Sequence, residues 1–192
     1  MRQSIITRRA LEQPTLETER LTLRPFRLED APEVQQLAGH RAVADTTLNI
    51  PHPYRDGQAE AWILAHKQLY RAAVVANFAV TLRATGQLLG AVGLRIEQLH
   101  RRAELGYWIG VPYWSQGYCT EAARAVLRFG FEALELNRIH ASYLARNPAS
   151  GRVMQKLGMQ YEGQLRQHVR KWDVFEDIVT YAILQSEFRA DS

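Results

Sequence analysis

The chain has 192 residues, of which 46% are hydrophobic, and a formal net charge of +4 at pH 7. This length is enough for one domain with its own core, and no apolar run approaches the roughly 18 residues of a membrane-spanning helix. The single cysteine excludes an internal disulfide framework, and the N-terminus lacks a signal-peptide pattern. We therefore expect a cytoplasmic protein that makes no membrane contact.

Hydrophobic periodicity and turn residues predict one mixed α/β domain, residues 18–192, after a flexible N-terminal tail, residues 1–17. The pattern indicates a mixed central sheet of about seven strands with flanking helices. The expected strands are residues 21–26, 78–82, 88–96, 104–111, 139–145, 159–169 and 174–184. The expected helices are a short one capped by Asp30 with Glu33 three residues later, and residues 59–72, 117–134 and 149–157.

The most informative segment is YWIGVPYWSQGYCTEA, residues 107–122. A short apolar strand runs through Pro112 into a turn of small residues, and the turn opens a helix. The first amides of a helix have no intrahelical acceptor, and the helix dipole adds partial positive charge, so this turn suits a phosphate or pyrophosphate. Gly117 supplies the permissive backbone, and Cys119 is small enough not to crowd a ligand.

Two linked segments carry a family resemblance. ELGYWIGVPYWSQGYCTEA (residues 104–122), followed by ARNPASGRVMQKLGM (residues 145–159), resembles the acetyl-CoA-binding core of the GNAT N-acetyltransferases. Within them the chain is most similar to the ribosomal-protein alanine N-acetyltransferase type, over about residues 18–188. The superfamily motif Arg/Gln-x-x-Gly-x-Gly/Ala corresponds to Trp114, Gly117 and Cys119. Tryptophan at the first position is usual in the subtype that this chain resembles, whereas cysteine at the last position departs from the family pattern.

The strand, helix and strand around the glycine turn predict a parallel crossover, which places a ligand at the carboxyl ends of the strands. The resemblance implies that these two parallel strands splay apart and that acetyl-CoA, the co-substrate, lies in the cleft between them. It implies cofactor contacts from Ile109, Gly110, Val111, Gln116, Gly117, Tyr118, Cys119, Thr120 and Asn147. Asn147 also fits the N-cap of the helix that begins at Pro148, and Ile109 and Val111 also fit a strand core.

Acetyl transfer to an amine requires that the amine lose a proton and that the departing thiolate gain one. The tyrosine acid of many GNAT enzymes corresponds to Met154, which cannot donate a proton. In the subtype that this chain resembles, the acid role belongs to a serine in the N-x-x-S position, which Ser150 matches. Two alternatives stay open: Ser150 satisfies a backbone amide at the helix start, or the thiolate leaves without an acid.

Glu104 is the candidate base, because the resemblance matches it to a glutamate that activates the amine through water. The alternative is a salt bridge with Arg95, Arg101 or Arg102. His100 and His168 are reserve bases. Cys119 is not expected to form an acyl-enzyme, since no His–carboxylate pair adjoins it in the motif.

Six scattered histidines and one cysteine show no ligand spacing, so no metal is expected. The basic tracts 100–102 and 166–171 lie beside acidic residues, so direct nucleic-acid binding is not expected, and a homodimer stays open. We expect the loops 45–54 and 166–173 to recognise the acceptor.

Three functions stay open. The preferred one is acetylation of a protein or peptide α-amine, because an α-amine with a pKa of about 8 is partly neutral at pH 7. The resemblance implies a ribosomal protein as one such acceptor. The second is acetylation of a small amine such as an antibiotic, a polyamine or an amino acid. The third is a non-catalytic acyl-CoA-binding or ribosome-associated module.

Overall fold

The computed structural model describes residues 12–189, in which eight strands form one mixed sheet. The strands are β1 (Leu16–Glu17), β2 (Leu21–Arg24), β3 (Val75–Leu82), β4 (Leu88–Glu97), β5 (Arg102–Ile109), β6 (Arg138–Leu144), β7 (Gln160–Lys171) and β8 (Val174–Leu184). Their order across the sheet is β1-β2-β3-β4-β5-β6-β8-β7. The β5–β6 pair is parallel, and every other neighbouring pair is antiparallel.

Five α-helices flank the sheet. They are α1 (Ala31–Ala38), α2 (Arg41–Thr46), α3 (Gln58–Arg71), α4 (Tyr118–Arg128) and α5 (Pro148–Lys156). Proline occupies the first turn of both α1 and α5, where its missing N–H costs no helical hydrogen bond. Between residues 12 and 189, no helix has the length and apolar content needed to cross a membrane.

All seven predicted strands are present, and the structure adds β1 at the edge of the sheet. Leu16 pairs with Leu23, and Glu17 pairs with Thr22, so these two residues belong to the sheet and not to a flexible tail. Two residues are too short for a periodic signal, which is why the pattern missed this strand. Residues 1–11 of the expected tail lie outside the described residues.

Two helix predictions need correction. The predicted helix 117–134 is α-helical only to Arg128 and continues as a π-helix, Phe129–Ala133. Asp30 precedes α1, but its carboxylate does not cap that helix. Its oxygens instead accept hydrogen bonds from the Arg24 guanidinium, at 2.7 and 2.8 Å, and from the Arg27 amide, at 2.8 Å. A nearby guanidinium offers a stronger, charge-assisted partner than a helix-start amide.

The two faces of the sheet have separate cores. Along β5, side chains alternate between the faces because successive residues of a strand point in opposite directions. Tyr107 and Ile109 pack with α4 and α5 on one face, which we call the α4 face. Trp108 packs with α1 and α3 on the other, which we call the α1 face. By the same alternation, Glu104 and Gly106 belong to the α1 face.

The parallel strands β5 and β6 are paired at one end only. Their paired residues are Arg102 with Arg138, Ala103 with Ile139, and Glu104 with His140. Beyond this point both strands continue without pairing to each other, while β6 stays paired with β8. The predicted parallel crossover and the splayed gap are therefore confirmed, and the gap opens immediately after Glu104.

Candidate active site

A cleft of about 1150 Å³ runs through the gap between β5 and β6 and is lined from both faces of the sheet. Eight of the eleven residues expected at the site line it: Glu104, Ile109, Gly117, Tyr118, Cys119, Thr120, Asn147 and Ser150. Gly110, Val111 and Gln116 are not among its lining residues. The fold thus brings the two motifs of the sequence to one cavity.

The glycine turn before α4 has the backbone geometry of an anion site. Gly117 adopts a φ of +83°, which favours glycine, and α4 begins at the next residue. The first helical hydrogen bond is donated by the Glu121 amide to the Gly117 carbonyl, at 3.1 Å. Within the described residues, the preceding amides of Tyr118, Cys119 and Thr120 donate to no backbone carbonyl. These three N–H groups are available to a phosphate at a helix N-terminus.

Arg20 supports this turn from a distant part of the sequence. Its Nη1 donates to the Gln116 carbonyl at 3.1 Å, and its Nε donates to the Glu121 carboxylate at 2.7 Å. Thr18 also donates to Glu121, at 2.6 Å. Burial acts in the opposite direction, but these bonds hold the pKa of Glu121 below its usual value. The sequence pattern did not identify Arg20, because nothing local links β2 to a turn almost a hundred residues later.

The backbone at the end of β5 shows which groups of the expected cofactor contacts already have hydrogen-bond partners. The Gly110 amide donates to Leu89 at 2.8 Å, and the Gly110 carbonyl accepts from the Tyr113 amide at 2.9 Å. Gly110 therefore has no free amide to offer to a ligand. Because strand backbone groups alternate in direction, the amide and carbonyl of Ile109 point away from β4 and towards the gap. Val111 is also not part of the strand, since it begins a 3₁₀ turn.

Trp114, the first residue of the glycine motif, ties the turn to the end of β5. Its indole Nε1 donates to the Ile109 carbonyl at 2.6 Å. The indole is 40% exposed and lines the cleft. This bond explains how a tryptophan can occupy a motif position where a polar side chain is usual, since the indole N–H supplies the anchoring donor.

On the α4 face, Ser150 is hydrogen bonded to Tyr107. The two hydroxyl oxygens are 2.8 Å apart, and the Tyr107 hydroxyl also lies 3.1 Å from the Ser150 carbonyl oxygen. The Ser150 side chain therefore bonds a tyrosine and not a backbone amide at the helix start. The family motif does not single out Tyr107, although strand alternation places it on the face of the sheet opposite Glu104, which is the face of the glycine turn.

Burial controls the protonation of this cluster. Burial, with the nearby Cys119 adding to it, raises the pKa of Tyr107 well above its usual value, so the phenol stays protonated. Burial also raises the pKa of Cys119 to about 12. A thiol that stays protonated is a poor nucleophile, which agrees with the expected role of Cys119 as a small residue in the turn.

Glu104 lies on the α1 face at the closed end of the gap, and it is paired with Arg95. The Arg95 Nε donates to Glu104 Oε2 at 3.1 Å, and Nη2 makes a second contact with the same oxygen. Of the three salt-bridge partners considered, Arg95 is thus the one observed. Arg101 binds the Glu135 carbonyl and Arg102 binds Glu97.

The reserve bases lie elsewhere. His100 and His168 do not line the cleft, and His100 lies 3.3 Å from Glu97. The histidine nearest in register to Glu104 is His140, on the neighbouring strand. Burial lowers the pKa of His140, while the charge of Glu104 acts in the opposite direction.

The side chain of Asn147 joins the two halves of the cleft. It does not cap α5, and its Nδ2 donates to the Thr46 carbonyl at 3.3 Å. The next loop residues are held from the β7–β8 hairpin, where the buried Lys171 donates to the carbonyls of Leu48 and Ile50 at 3.3 and 3.4 Å. Burial lowers the pKa of this lysine. The two loops expected to recognise the acceptor are therefore in contact.

Between residues 12 and 189, no group of histidine, cysteine, aspartate and glutamate side chains is arranged to hold a metal ion. The lining side chains that can take part in proton transfer include the hydroxyls of Tyr107 and Ser150, the Cys119 thiol and the Glu104 carboxylate.

Comparison with known proteins identifies the family. A sequence model described as "Acetyltransferase (GNAT) domain" matches residues 20–160. The chain is 33% identical to "Uncharacterized N-acetyltransferase p20" of Bacillus licheniformis, over 91% of this chain and 98% of that protein. A solved GNAT-family acetyltransferase from Bacillus anthracis superposes with a TM-score of 0.81 at 27% identity, covering 91% of this chain and 100% of that one.

Relatives with a named acceptor are of two kinds. The "Ribosomal-protein-serine acetyltransferase" of Escherichia coli is 32% identical over 50% of this chain and 54% of that protein. The "Spermidine N(1)-acetyltransferase" of Escherichia coli is 26% identical over 88% of each chain. Together with the glycine turn and the splayed strands, these matches show that the chain belongs to the GNAT family and is an acetyl-CoA-dependent N-acetyltransferase.

Proposed function

We propose that the protein acetylates the α-amine of a protein or peptide N-terminus, by direct attack on acetyl-CoA in a ternary complex. The observation that carries this proposal is the charge of the cleft. Glu104 is the only carboxylate among the described residues that line it, and Arg95 already neutralises that carboxylate. Such a site suits a single amine that loses its proton easily, as an α-amine does with a pKa of about 8.

In the proposed mechanism, the base lies on the α1 face and the acid lies on the α4 face. The amine nitrogen attacks the thioester carbonyl carbon, the C–N bond forms and the C–S bond breaks. The amine gives its proton to Glu104, directly or through water, from the α1 face. The sulfur leaves on the α4 face, where the Ser150 hydroxyl supplies its proton. Glu104 then releases its proton to solvent and a proton from solvent restores the serine, so the enzyme ends the cycle unchanged.

Tyr107 affects whether Ser150 can give its proton to the leaving sulfur. A phenol has one proton to donate. When Tyr107 donates to the Ser150 carbonyl, the serine hydroxyl donates to Tyr107 and is turned away from the cleft. When Tyr107 donates to Ser150 Oγ instead, the serine proton is free to reach the sulfur. We therefore propose Tyr107 as the positioning residue of Ser150.

The cofactor is proposed to lie along the α4 half of the cleft. The amides of Tyr118, Cys119 and Thr120 would bind the pyrophosphate, with Gly117 leaving room for it. The backbone of Ile109 and the side chain of Asn147 would contact the pantetheine arm. Supporting this arrangement, all six residues line the cleft, and the amides of residues 118–120 have no backbone acceptor within the described chain.

A polyamine acceptor fits this cleft poorly. A polyamine carries several positive charges at neutral pH, and each buried charge needs a partner of opposite sign. The described lining residues offer one carboxylate, which is already paired, and the cations Arg95, Arg152 and Lys156. The charge of the site therefore favours a monoamine.

The test compares three acceptors at saturating acetyl-CoA, with release of the CoA thiol as the readout. They are a peptide with a free N-terminus, the same peptide with a blocked N-terminus and an internal lysine, and spermidine. We expect thiol release only with the free N-terminus. Equal rates for the blocked peptide, or activity confined to spermidine, would overturn the proposal, and acetyl-CoA binding without any thiol release would favour the non-catalytic function.

A further inference from the structure

We infer that the acceptor carries a large apolar side chain on its first residue, which enters a pocket on the α1 face next to the reacting amine. This inference rests on the proposed function, because it assumes an N-terminal α-amine. The acceptor pocket is defined by six cleft-lining residues that share an apolar surface: Val34, Val43, Leu48, Ile50, Trp62 and Trp108. It belongs to the half of the cleft that the cofactor turn does not occupy.

The aromatic wall of the acceptor pocket is held in place by ring packing. The Trp62 ring meets His66 edge-on, with centroids 4.3 Å apart, and meets Phe26 in the same way at 4.9 Å. Trp108 packs into the same hydrophobic cluster. A wall fixed in this way offers a preformed apolar surface, so little ordering is needed when a side chain binds.

The opposite wall is a loop that other elements hold over the pocket. Lys171 donates to the carbonyls of Leu48 and Ile50, and Arg146 donates to Asp45 at 2.9 Å. Arg146 is held in turn by Glu176 at 2.7 Å. The apolar side chains of this loop are thus fixed towards the cleft, although Leu48 remains 43% exposed.

Gly106 leaves the floor of the pocket open, whereas the space above its partner Gly93 is filled by the side chain of Asn77. Gly93 of β4 is paired with Gly106 of β5, next to the point where β5 leaves β6. A Cβ built on Gly106 meets no atom within 4 Å, so the absence of a side chain leaves open space. Strand alternation directs this space to the α1 face, beside Trp108. An apolar side chain placed there would lie near the opening through which the amine must reach the thioester.

The charge of the acceptor pocket selects the kind of side chain that enters it. Among the cleft-lining residues between positions 34 and 108, the only charged ones are Arg95 and Glu104, and they are paired with each other. A charged first residue would lose its hydration without gaining a partner. A single methylene changes discrimination by an apolar pocket about 10- to 200-fold, so leucine or phenylalanine should be preferred over alanine by ten-fold or more.

The first experiment uses the wild-type enzyme and peptides that differ only in their first residue. We expect kcat/KM for leucine-, methionine- and phenylalanine-first peptides to exceed that for alanine-, serine- and aspartate-first peptides by at least ten-fold. A preference for alanine or serine would overturn the inference and leave the proposed function intact. If no peptide is acetylated while a small free amine is, the proposed function itself fails.

The second experiment fills or removes parts of the pocket. Gly106→Val places a side chain in open space and should lower kcat/KM for leucine-first peptides at least ten-fold, while alanine-first peptides change less than three-fold. Trp62→Ala should reduce the preference between the two peptides. Leu64→Ala is the matched control, since Leu64 lies on the same helix and is 66% exposed. If Gly106→Val lowers both peptides equally, or leaves both unchanged, the pocket does not hold the first side chain.

Discussion

The two halves of the cleft are built in different ways. The half proposed to bind the cofactor comes from two short segments, the turn around Gly117 and the start of α5, and the binding groups it offers are mainly backbone amides. The acceptor half combines α1, α2, α3 and a loop that the distant Lys171 holds in place, and its surface consists of side chains. Backbone amides at a helix start bind the same anion in any chain, whereas a side-chain pocket can change its specificity by substitution.

The two candidate proton-transfer groups also lie in different halves of the cleft. Ser150 and Tyr107 are hydrogen bonded on the α4 face, where the leaving thiolate is expected. Glu104 belongs to the α1 face, where the acceptor amine is expected, and it begins the region in which β5 and β6 separate. The proposed acid and base thus lie on opposite faces of one sheet.

The largest expected effect is a loss of folding stability on acidification, and it comes from His66 in the acceptor half. His66 is buried, and burial lowers its pKa from 6.5 to about 4. Between these values the unfolded chain binds more protons than the folded one, so stability is lost as the pH falls from 6.5 to 4. The shift corresponds to about 3 kcal/mol in the free energy of unfolding.

Denaturant unfolding across this pH range checks the effect. Wild type should lose more stability on acidification than His66→Gln, whereas His168→Gln, at an exposed position, should follow wild type. Parallel pH profiles for wild type and His66→Gln would contradict the prediction.

Glu104→Gln tests the base on the α1 face. If Glu104 accepts the amine proton, turnover should fall about 10²-fold, while acetyl-CoA affinity should stay nearly unchanged. Arg95→Met is the control, because it removes the same salt bridge and keeps the carboxylate. An equal loss in both variants would assign Glu104 to the salt bridge alone.

Gly117→Val tests the cofactor half. The φ of +83° at Gly117 disfavours a β-branched residue, and a Cβ there would lie 3.3 Å from Nη2 of Arg20. We expect acetyl-CoA affinity to fall ten-fold or more, which is about 1.4 kcal/mol. Gly86→Val is a matched control, since Gly86 also has a positive φ, of +75°, but lies outside the cleft lining. The Gly86→Val variant should bind acetyl-CoA with the affinity of wild type.

Tyr107→Phe has the smallest expected effect. Loss of one neutral hydrogen bond, about 0.5–1.5 kcal/mol, should lower kcat roughly three- to ten-fold and leave the acceptor KM unchanged. Because Tyr107 is proposed to act through Ser150, the double variant Tyr107→Phe/Ser150→Ala should be no slower than Ser150→Ala. Additive losses in single-turnover measurements would show that the two hydroxyls act independently.

The element pattern could be predicted because it depends on local periodicity. The seven strands and the turn at Gly117 each have a signal within about ten residues, and each was placed close to its observed bounds. The edge strand β1 carries no such signal, and its two residues are ordered by pairing with β2. The hydrogen bond of the Gly110 amide also has no local signal, because its acceptor, Leu89, belongs to the neighbouring strand β4.

The site required both local and long-range information. Motif resemblance identified Glu104, Ser150 and the residues of the turn, and the fold brought them to one cleft. It could not identify Arg20 or the partner of Ser150, because those contacts join segments 96 and 43 residues apart. No spacing rule links side chains that meet only after the sheet has formed.

The sequence by itself determined the α/β architecture, the cofactor turn and the family, since each follows from short-range patterns of glycine, proline and alternating apolar residues. The tertiary structure alone decided which face of the sheet each candidate group occupies, which arginine pairs with Glu104, and that Trp62, Trp108 and the loop held by Lys171 enclose one apolar pocket. The physical reason is that charge pairing and burial depend on distances between elements, and these distances exist only once the strands have paired and the helices have packed.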